Sequence, residues 1–354
     1  MSDESSQKPA KVRVGIIGTG GIALTHRIGY SASNATVAAI CDVNADTLAT
    51  RQREWEVGNG YTDYREMLAN PAIEAVSICT PNSTHGPITM AAAAAGKHVL
   101  CEKPVSMSLV EAQHMIDACN SAGVVFQVGH HMRSWVAAQR AKEMIDRGDI
   151  GTVTFARFRQ AHDWGGASQV RGVFGSKALS GGGTLLDNGC HLFDLARYLC
   201  GDVANVFART ATLKFDVEVD DTAMSSLEFI SGALGQVEVA WTATGFQEAF
   251  WVYGTHGSIE VDSNIGVNIL RHRTRPTPSH NWSDTDCAVL SLVGATAHTR
   301  HVKNFLAAIA GRRAVVCTGR DGREAVRLVL ASYESAQTGA LVRLTSRRSD
   351  EPTK

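Results

Sequence analysis

Near its N-terminus the chain reads Val12-Arg13-Val14-Gly15-Ile16-Ile17-Gly18-Thr19-Gly20-Gly21-Ile22-Ala23, an apolar run followed by the pattern G-x-G-x-x-A. This pattern is informative when it lies between a strand and a helix, which is the context predicted here. Gly18 permits a tight turn, and Gly20 lets the backbone approach a pyrophosphate. The helix N-terminus, with the amides of Gly21 and Ile22, would face the phosphates. The segment therefore predicts a dinucleotide-binding βαβ unit.

An acidic residue completes this pattern. Residues 37–41 form a second apolar run, and Asp42 follows it about 20 residues beyond Gly20, where a carboxylate can accept hydrogen bonds from ribose hydroxyls. Its charge would repel a 2′-phosphate, and Val43 and Asn44 come next instead of an arginine. NAD is therefore favoured over NADP. The alternative is a tight strand-to-helix turn with a helix-capping aspartate.

Apolar strands and helical segments alternate as far as residue 128, and this alternation predicts a doubly wound parallel α/β sheet. Ligands of such sheets bind beyond the carboxyl ends of the strands. The polar segments predicted at that edge are Thr80-Pro81-Asn82 with His85, Glu102-Lys103-Pro104, and His130-His131-Met132-Arg133. We expect the first two to contact the cofactor and the third to lie near the nicotinamide or a substrate. Taken by position alone, Lys103 could equally be a solvated surface lysine.

Beyond residue 133 the pattern becomes β-rich. An amphipathic helix over residues 134–147 precedes consecutive short strands, predicted at 151–161, 203–213, 221–230, 233–241, 249–254, 257–262 and 266–271. These strands predict a C-terminal α+β domain with a large, open, mostly antiparallel sheet, flanked by helices over 297–310 and 319–338. Residues 272–286 are predicted as an exposed loop. The predicted organisation is a tail (1–10), a dinucleotide-binding domain (11–130), a substrate-binding and oligomerisation domain (131–345) and a second tail (346–354).

The second domain carries one motif with chemical content, Gly181-Gly182-Gly183-Thr184-Leu185-Leu186-Asp187-Asn188-Gly189-Cys190-His191. A helix over residues 185–200 would place Asp187 and His191 four residues apart on one face. An imidazole beside a carboxylate is suited to proton transfer near neutral pH. The alternative is that Asp187 caps the helix and His191 is a buried structural histidine.

Composition narrows the function classes. The formal net charge is −1, with 44% apolar and 19% charged residues, so neither nucleic acid nor a membrane surface is an expected partner. Residues 1–10 lack the apolar core of a signal peptide, and no run is long enough to span a bilayer. Eight cysteines without a C-x-x-C pair indicate reduced thiols in a cytoplasmic protein and no cysteine metal site.

Four motifs occur in this order: Gly18-x-Gly20-x-x-Ala23, Thr80-Pro81-Asn82 with His85, Glu102-Lys103-Pro104, and Gly181 to His191. With these motifs the chain resembles the Gfo/Idh/MocA oxidoreductases over roughly residues 11–345. The resemblance implies a Rossmann domain, a second domain with a large open sheet, and a homodimer or homotetramer formed through that sheet. It implies hydride transfer between nicotinamide and a ring hydroxyl or ketone of a sugar, cyclitol or related polyol. It makes Lys103, Asp187 and His191 the catalytic residues and suggests that the Lys103–Pro104 peptide is cis.

Under this hypothesis His191 removes the hydroxyl proton, Asp187 orients the sugar and the imidazole, and Lys103 stabilises the developing alkoxide. Trp164 on a loop could stack on a pyranose face, and Arg157 or Gln160 could supply polar contacts, although each could instead pack between domains. A metal bound by His130, His131 and His191 is disfavoured, because consecutive side chains on a strand diverge. His298 and His301 are interpreted as surface histidines.

Two other functions fit the same motifs. Some relatives are glycosidases that oxidise the sugar transiently with NAD, eliminate the leaving group and reduce the product again. Others keep the fold and act as nucleotide-sensing regulators without catalysis. The presence of Lys103, Asp187 and His191 argues against a pure sensor, which has no need of them.

Overall fold

The computed structural model describes residues 11–163, 170–264, 266, 268–274 and 287–344. Both predicted tails lie outside these described residues, and so does Trp164. The described chain forms one six-stranded and one nine-stranded sheet.

The first sheet is parallel, as predicted, and has the order β3-β2-β1-β4-β5-β6. Its strands are β1 (Val12–Ile17), β2 (Ala35–Cys41), β3 (Gly60–Tyr61), β4 (Ala75–Ile78), β5 (His98–Cys101) and β6 (Phe126–Val128). The intervening helices are α1 (Gly21–Ser31), α2 (Ala45–Trp55), α3 (Tyr64–Ala69), α4 (His85–Ala94) and α5 (Leu109–Ser121). The chain reverses its direction of travel across the sheet between β1 and β4, which opens a crevice at their carboxyl ends.

The second sheet is mostly antiparallel, as predicted, with one parallel pair, β7 beside β10. Its order is β14-β13-β12-β11-β7-β10-β9-β8-β15. The strands are β7 (Val153–Asp163), β8 (Val203–Ala211), β9 (Thr222–Phe229), β10 (Leu234–Ala240), β11 (Thr242–Gly254), β12 (Gly257–Asp262), β13 (Ile269–Thr274), β14 (Cys287–Ser291) and β15 (Val342–Arg343).

The edge of this sheet differs from the prediction. Strand β13 continues to Thr274, inside the range predicted as a loop, and β14 was not predicted. Strand β13 carries half-exposed arginines and a histidine in place of the apolar alternation that identifies a buried strand, and β14 pairs with it at the outer edge. Residues 275–286, the rest of that predicted loop, lie outside the described part.

Within the described residues, helices pack on one face of the second sheet, which is its inner face. The helices of this half of the chain are α6 (Val136–Asp146), α7 (Lys177–Ser180), α8 (Thr184–Asp187), α9 (Gly189–Cys200), α10 (Ala297–Ile309) and α11 (Gly319–Thr338). Of these, α6, α8, α9 and α11 contact strands of the sheet. Phe193 of α9 packs with Phe158 and Phe250 in the core beneath them. Strand β9 shows the consequence for the sheet, because its residues alternate strictly between buried and half-buried or exposed positions.

Helix α10 returns to the first sheet, where Val302 contacts α1 so closely that a Cβ on Gly29 would lie 2.8 Å from it. The first sheet is formed by residues that precede residue 130 and the second sheet by residues that follow it. However, α10, which belongs to the C-terminal part of the chain, packs against α1 of the first domain. The division into domains at that residue therefore stays a prediction.

Candidate active site

The turn between β1 and α1 has the geometry of a phosphate cradle. Gly18 has φ +81°, and a Cβ there would lie 2.6 Å from the carbonyl oxygen of Cys79, so only glycine fits. A Cβ on Gly20 or Gly21 would meet no atom within 4 Å, so this side of the turn is open. Helix α1 starts at Gly21 and no side chain caps it, which leaves its first amides free to bind an anion. The cradle fits a pyrophosphate.

Asp42 lies at the wall of the adjoining cleft, which has a volume of about 510 Å³. Its carboxylate accepts hydrogen bonds from the amide and hydroxyl of Thr19, at 2.9 and 2.7 Å, and from the amide of Asn44 at 3.0 Å. Thr80 and Pro81 line the same cleft. These residues fit the adenosine half of a dinucleotide.

His85 and Asn82 have structural partners instead of facing this cleft. The ring nitrogens of His85, which is 1% exposed, lie 2.8 Å from the carbonyl oxygen of Pro104 and 3.0 Å from that of Thr80. Asn82 donates to the carbonyl oxygen of Ser180 at 2.8 Å and so ties the first sheet to the second half of the chain. His85 thus holds together two loops at this edge of the sheet, and its contact with the cofactor stays a prediction.

Lys103 reaches across the interface to the second sheet's helices. Its Nζ lies 2.7 Å from Asp187 Oδ1 and 3.1 Å from the Asp187 carbonyl oxygen. Burial disfavours the ammonium, but the charge of Asp187, the hydrogen bond to it and the charges of other neighbouring groups together outweigh burial, so the pKa of Lys103 is raised and the side chain stays protonated. The Lys103–Pro104 peptide is cis, which confirms the expectation from the family resemblance.

Glu102 points the other way, into the first domain. Its Oε1 lies 2.8 Å from Nε2 of His26 on α1, and its Oε2 accepts the Lys103 amide at 3.2 Å. Burial favours the neutral acid, but the hydrogen bond and charge of His26 outweigh it and lower the pKa of Glu102. Glu102, which is only 5% exposed, therefore fixes the Lys103 loop, and its expected contact with the cofactor stays a prediction.

His191 lies among other histidines. Its ring centroid is 4.7 Å from that of His131 and 5.4 Å from that of His130, and His298 stacks on His131 at 3.8 Å. Burial, and then the charge of Lys103, lower the pKa of His191 well below its usual value, so the imidazole is neutral and can accept a proton. Within the described residues, Nδ1 of His191 and both ring nitrogens of His130 lack hydrogen-bond partners. Such orphaned polar atoms fit a site that completes its contacts with a ligand.

The relation between Asp187 and His191 differs from the prediction. The helix is interrupted at Asn188, so Asp187 ends α8 and His191 lies in the first turn of α9. No hydrogen bond joins the side chains of Asp187 and His191, because the Asp187 carboxylate accepts a hydrogen bond from Lys103 instead. The expected role of Asp187 in orienting the imidazole stays a prediction. What the structure brings together is an ion pair with a neutral histidine beside it.

Two further expected contacts and one expected surface position differ from what the structure shows. Arg133 is engaged by Asp194 through two bonds of 2.7 Å and by Asp321 at 3.1 Å, inside the protein. Arg157 lies on the outer face of the second sheet and pairs with Glu238. His301 is not on the surface: it is 3% exposed and its ring is within hydrogen-bond distance of Ser134 Oγ and the Val128 carbonyl. The inner face of the sheet, not its outer face, lies toward the site.

On that inner face sequence reasoning named Gln160 but missed three residues, His162, Asn188 and Glu248. Asn188 donates to Nε2 of His162 at 2.9 Å, and Gln160 donates to Glu248 at 2.5 Å. Asp187 and Lys103 both act electrostatically on His162. The two-residue spacing of Gln160 and His162 on β7 put them on one face and was the available signal, but the sequence alone did not show which face is covered.

Asp220 and Tyr333 fix the glycine run, Gly181 to Gly183, that precedes Asp187. The Asp220 carboxylate accepts the amides of Gly183 at 3.0 Å and Leu185 at 2.8 Å, and the Tyr333 hydroxyl at 2.6 Å. A Cβ on Gly183 would lie 1.8 Å from the Asp220 carbonyl oxygen, so this close approach requires glycine. These contacts fix the start of the segment that carries Asp187.

Neither a metal-binding cluster nor a membrane-spanning helix occurs in the described part of the chain. No set of three or more histidine, cysteine, aspartate or glutamate side chains there is arranged to hold a metal ion. Nor does that part of the chain contain a helix with the length and apolar character needed to cross a membrane.

Comparison with known proteins adds named relatives over nearly the whole chain. The chain is 31% identical over 330 residues to 1,5-anhydro-D-fructose reductase of Ensifer adhaerens, covering 92% of this chain and 97% of that protein. It is 29% identical over 344 residues to myo-inositol 2-dehydrogenase of Thermotoga maritima, covering 94% and 98%. The structure of levoglucosan dehydrogenase in complex with NADH and levoglucosan superimposes with a TM-score of 0.88 at 26% identity, covering 95% and 100%.

Two family models match the two halves of the chain. The model described as the oxidoreductase family with an NAD-binding Rossmann fold matches residues 12–130. The model of the GFO/IDH/MocA C-terminal domain matches residues 138–260. The chain belongs to the Gfo/Idh/MocA family of oxidoreductases and binds NAD through its Rossmann domain.

Proposed function

We propose that this oxidoreductase transfers a hydride between NAD and a ring hydroxyl or ketone of a sugar, cyclitol or related polyol. The observation that carries the proposal is the Lys103–Asp187 ion pair beside a neutral His191, at the edge of the sheet that also forms the dinucleotide cradle. Bound NAD supplies the hydride acceptor. The chain itself has to orient the hydroxyl, take its proton and stabilise charge on its oxygen.

Each of these tasks has a residue suited to it. His191 is the general base, because its lowered pKa keeps the imidazole neutral and its Nδ1 has no partner in the described protein. Lys103 is the electrostatic stabiliser of the alkoxide, because it stays protonated in a largely buried position. Asp187 holds the ammonium group in place at 2.7 Å and can accept a hydrogen bond from a neighbouring substrate hydroxyl. His130 and His131 flank His191 and line the substrate side.

The names of the relatives support this substrate class, since they include a reductase of an anhydro sugar and a dehydrogenase of inositol. They favour net oxidation or reduction over a glycosidase that uses NAD transiently, and over a regulator without catalysis. Asp42 supports NAD over NADP, because a 2′-phosphate would meet its carboxylate.

We also propose that the chain forms a homodimer or homotetramer through the outer face of the second sheet. No helix in the described structure covers that face, and it exposes large apolar side chains, among them Phe155, Met224 and Tyr253. An exposed apolar sheet face of this kind is typical of a subunit interface. Light scattering coupled to gel filtration measures the assembly, and a monomer at micromolar concentration would contradict this proposal.

The test of the reaction is a panel of sugars, inositols, other polyols and glycosides assayed with NAD and with NADP by nicotinamide absorbance. Net NADH formation with a neutral polyol is the expected result. A glycoside that is cleaved without net NADH would support the glycosidase instead. His191→Ala should lose the acidic limb of the pH–rate profile, and an unchanged profile would remove His191 from proton transfer.

A further inference from the structure

One corner of the second sheet faces the site and has no role in the proposed reaction. It consists of Gln160, His162, Phe246 and Glu248. Strands β7 and β11 pair Gln160 with Glu248 and His162 with Phe246. Because side chains two residues apart on a strand share a face, both pairs point to the same side of the sheet. The His162 ring stacks with Phe246 at 5.8 Å and accepts a hydrogen bond from Asn188, the neighbour of Asp187. This corner therefore borders the Lys103–Asp187 pair.

Glu248 is the acidic group of this corner, and it is poorly partnered. Among the described residues, Gln160 is the one hydrogen-bond donor to its carboxylate, and no lysine or arginine lies within ion-pair distance of it. Burial, opposed by Gln160 and the charge of Lys103, raises the pKa of Glu248 to about 7. A carboxylate offers about four acceptor positions, so most of those on Glu248 are unused. The charge of Lys103 acts on Glu248, as it does on His162 of the same corner.

The positive charges of the site are already compensated. Lys103 is paired with Asp187, and Arg133 is paired with Asp194 away from the cleft. His130, His131 and His191 all have lowered pKa values, chiefly because they are buried, and so they are neutral. Within the described residues, a carboxylate or phosphate on a substrate would find no uncompensated cation here and would face Glu248.

We propose that Glu248 accepts hydrogen bonds from a substrate hydroxyl remote from the reacting carbon and restricts the enzyme to uncharged polyols. This inference rests on the proposed function. It specifies that the substrate is uncharged and that Glu248 is the residue that selects for this. An anionic substrate would have to lose its hydration without a compensating partner, and it would be repelled by the ionised form of Glu248. Discrimination of about 100-fold or more against a carboxylated or phosphorylated analogue follows.

The experiment measures binding to the enzyme–NADH complex by nicotinamide fluorescence, so it does not depend on turnover. The probes are matched pairs: glucose with glucuronic acid, glucose with glucose 6-phosphate, and myo-inositol with its 1-phosphate. The wild type should bind the neutral member of at least one pair about 100-fold more tightly than its anionic partner. Glu248→Gln should bind that neutral ligand about tenfold more weakly and discriminate about tenfold less. Glu248→Lys should bind the anionic partner more tightly than the wild type does.

The matched control is Glu228→Gln, which removes an exposed carboxylate from the same sheet without touching the site. It should leave both affinities unchanged. Equal binding of neutral and anionic members, no binding of any neutral member, or a Glu248→Gln variant identical to wild type would each overturn the proposal. Preferential binding of a neutral ligand that is never oxidised or reduced would count against the proposed reaction and leave the role of Glu248 standing.

Discussion

Replacing Lys103 by methionine tests the two proposed roles of its ammonium group, which are pairing with Asp187 and stabilising the developing alkoxide. Methionine keeps most of the length and apolar volume of the side chain but removes the charge and the two bonds to Asp187. The cofactor cradle at Gly18 and Gly20 is untouched. We therefore expect turnover to be lost while NAD still binds.

The magnitudes follow from the burial of the pair. The side chains of Lys103 and Asp187 are 17% and 10% exposed, so removing the lysine leaves a carboxylate with little solvent and no partner. Breaking fully buried pairs costs about 3–5 kcal/mol, and the partial exposure here puts the loss in free energy of unfolding nearer ~2–3 kcal/mol. Removing a donor to a developing oxyanion lowers kcat by about 10²–10³-fold. Loss of the lysine charge should also raise the pKa of His191, so the acidic limb of any residual activity moves to higher pH.

A double variant distinguishes the catalytic from the structural effect. Lys103→Met with Asp187→Asn contains no uncompensated charge, so it should recover ~1 kcal/mol or more of the stability lost by Lys103→Met alone. It should recover none of the turnover. Chemical denaturation, NAD titration and steady-state kinetics on the three variants provide the comparison. Turnover of Lys103→Met within tenfold of wild type, or restored turnover in the double variant, would refute the assignment.

Three other substitutions give measurable outcomes. Asp42→Ala should shift the ratio of NAD to NADP affinity toward NADP by roughly 10–100-fold, because it removes a charged acceptor for ribose hydroxyls; an unchanged ratio in titrations would contradict this. Tyr333→Phe removes a donor to Asp220 and should lower the free energy of unfolding by ~1–2 kcal/mol without changing NAD affinity, as measured in urea. The folded-state pKa of Glu248, about 7, exceeds its ordinary value of 4.5, so its contribution to stability is present at low pH and is lost as pH rises from 4.5 through 7. Glu248→Gln should therefore match the wild type near pH 4 and be ~1–3 kcal/mol more stable at pH 8; denaturation curves that differ equally at both pH values would exclude this.

The first domain could be predicted from the sequence because its signals are local. The turn at Gly18 needs a positive φ, and the following helix needs open amides, so the residues that bind the phosphates also shape the backbone. Buried parallel strands are continuous apolar runs, which limit the alternatives. Asp42 and Lys103 follow such strands directly, and their positions at the carboxyl edge are a consequence of the topology.

The site in the second half could be predicted only in part, because its contacts are long-range. The spacing of Asp187 and His191 indicated a shared helix face, but nothing local showed that Lys103, 84 residues earlier, would take the carboxylate. Arg133 follows a strand at the correct edge and still points inward, because Asp194 offers two oxygens in a fully buried position. Glu248 gave no signal at all, since a glutamate in a strand is ordinarily solvated.

The two halves of the site are joined by one continuous set of contacts. Helix α1 presents its N-terminus to the cofactor cradle and carries His26, which holds Glu102 at 2.8 Å. Glu102 binds the amide of Lys103, and Lys103 binds Asp187. The helix that would position the pyrophosphate thus also positions Lys103. Because this lysine pairs with an aspartate from the other half of the chain, the contacts that hold its ammonium group come from both halves of the proposed site.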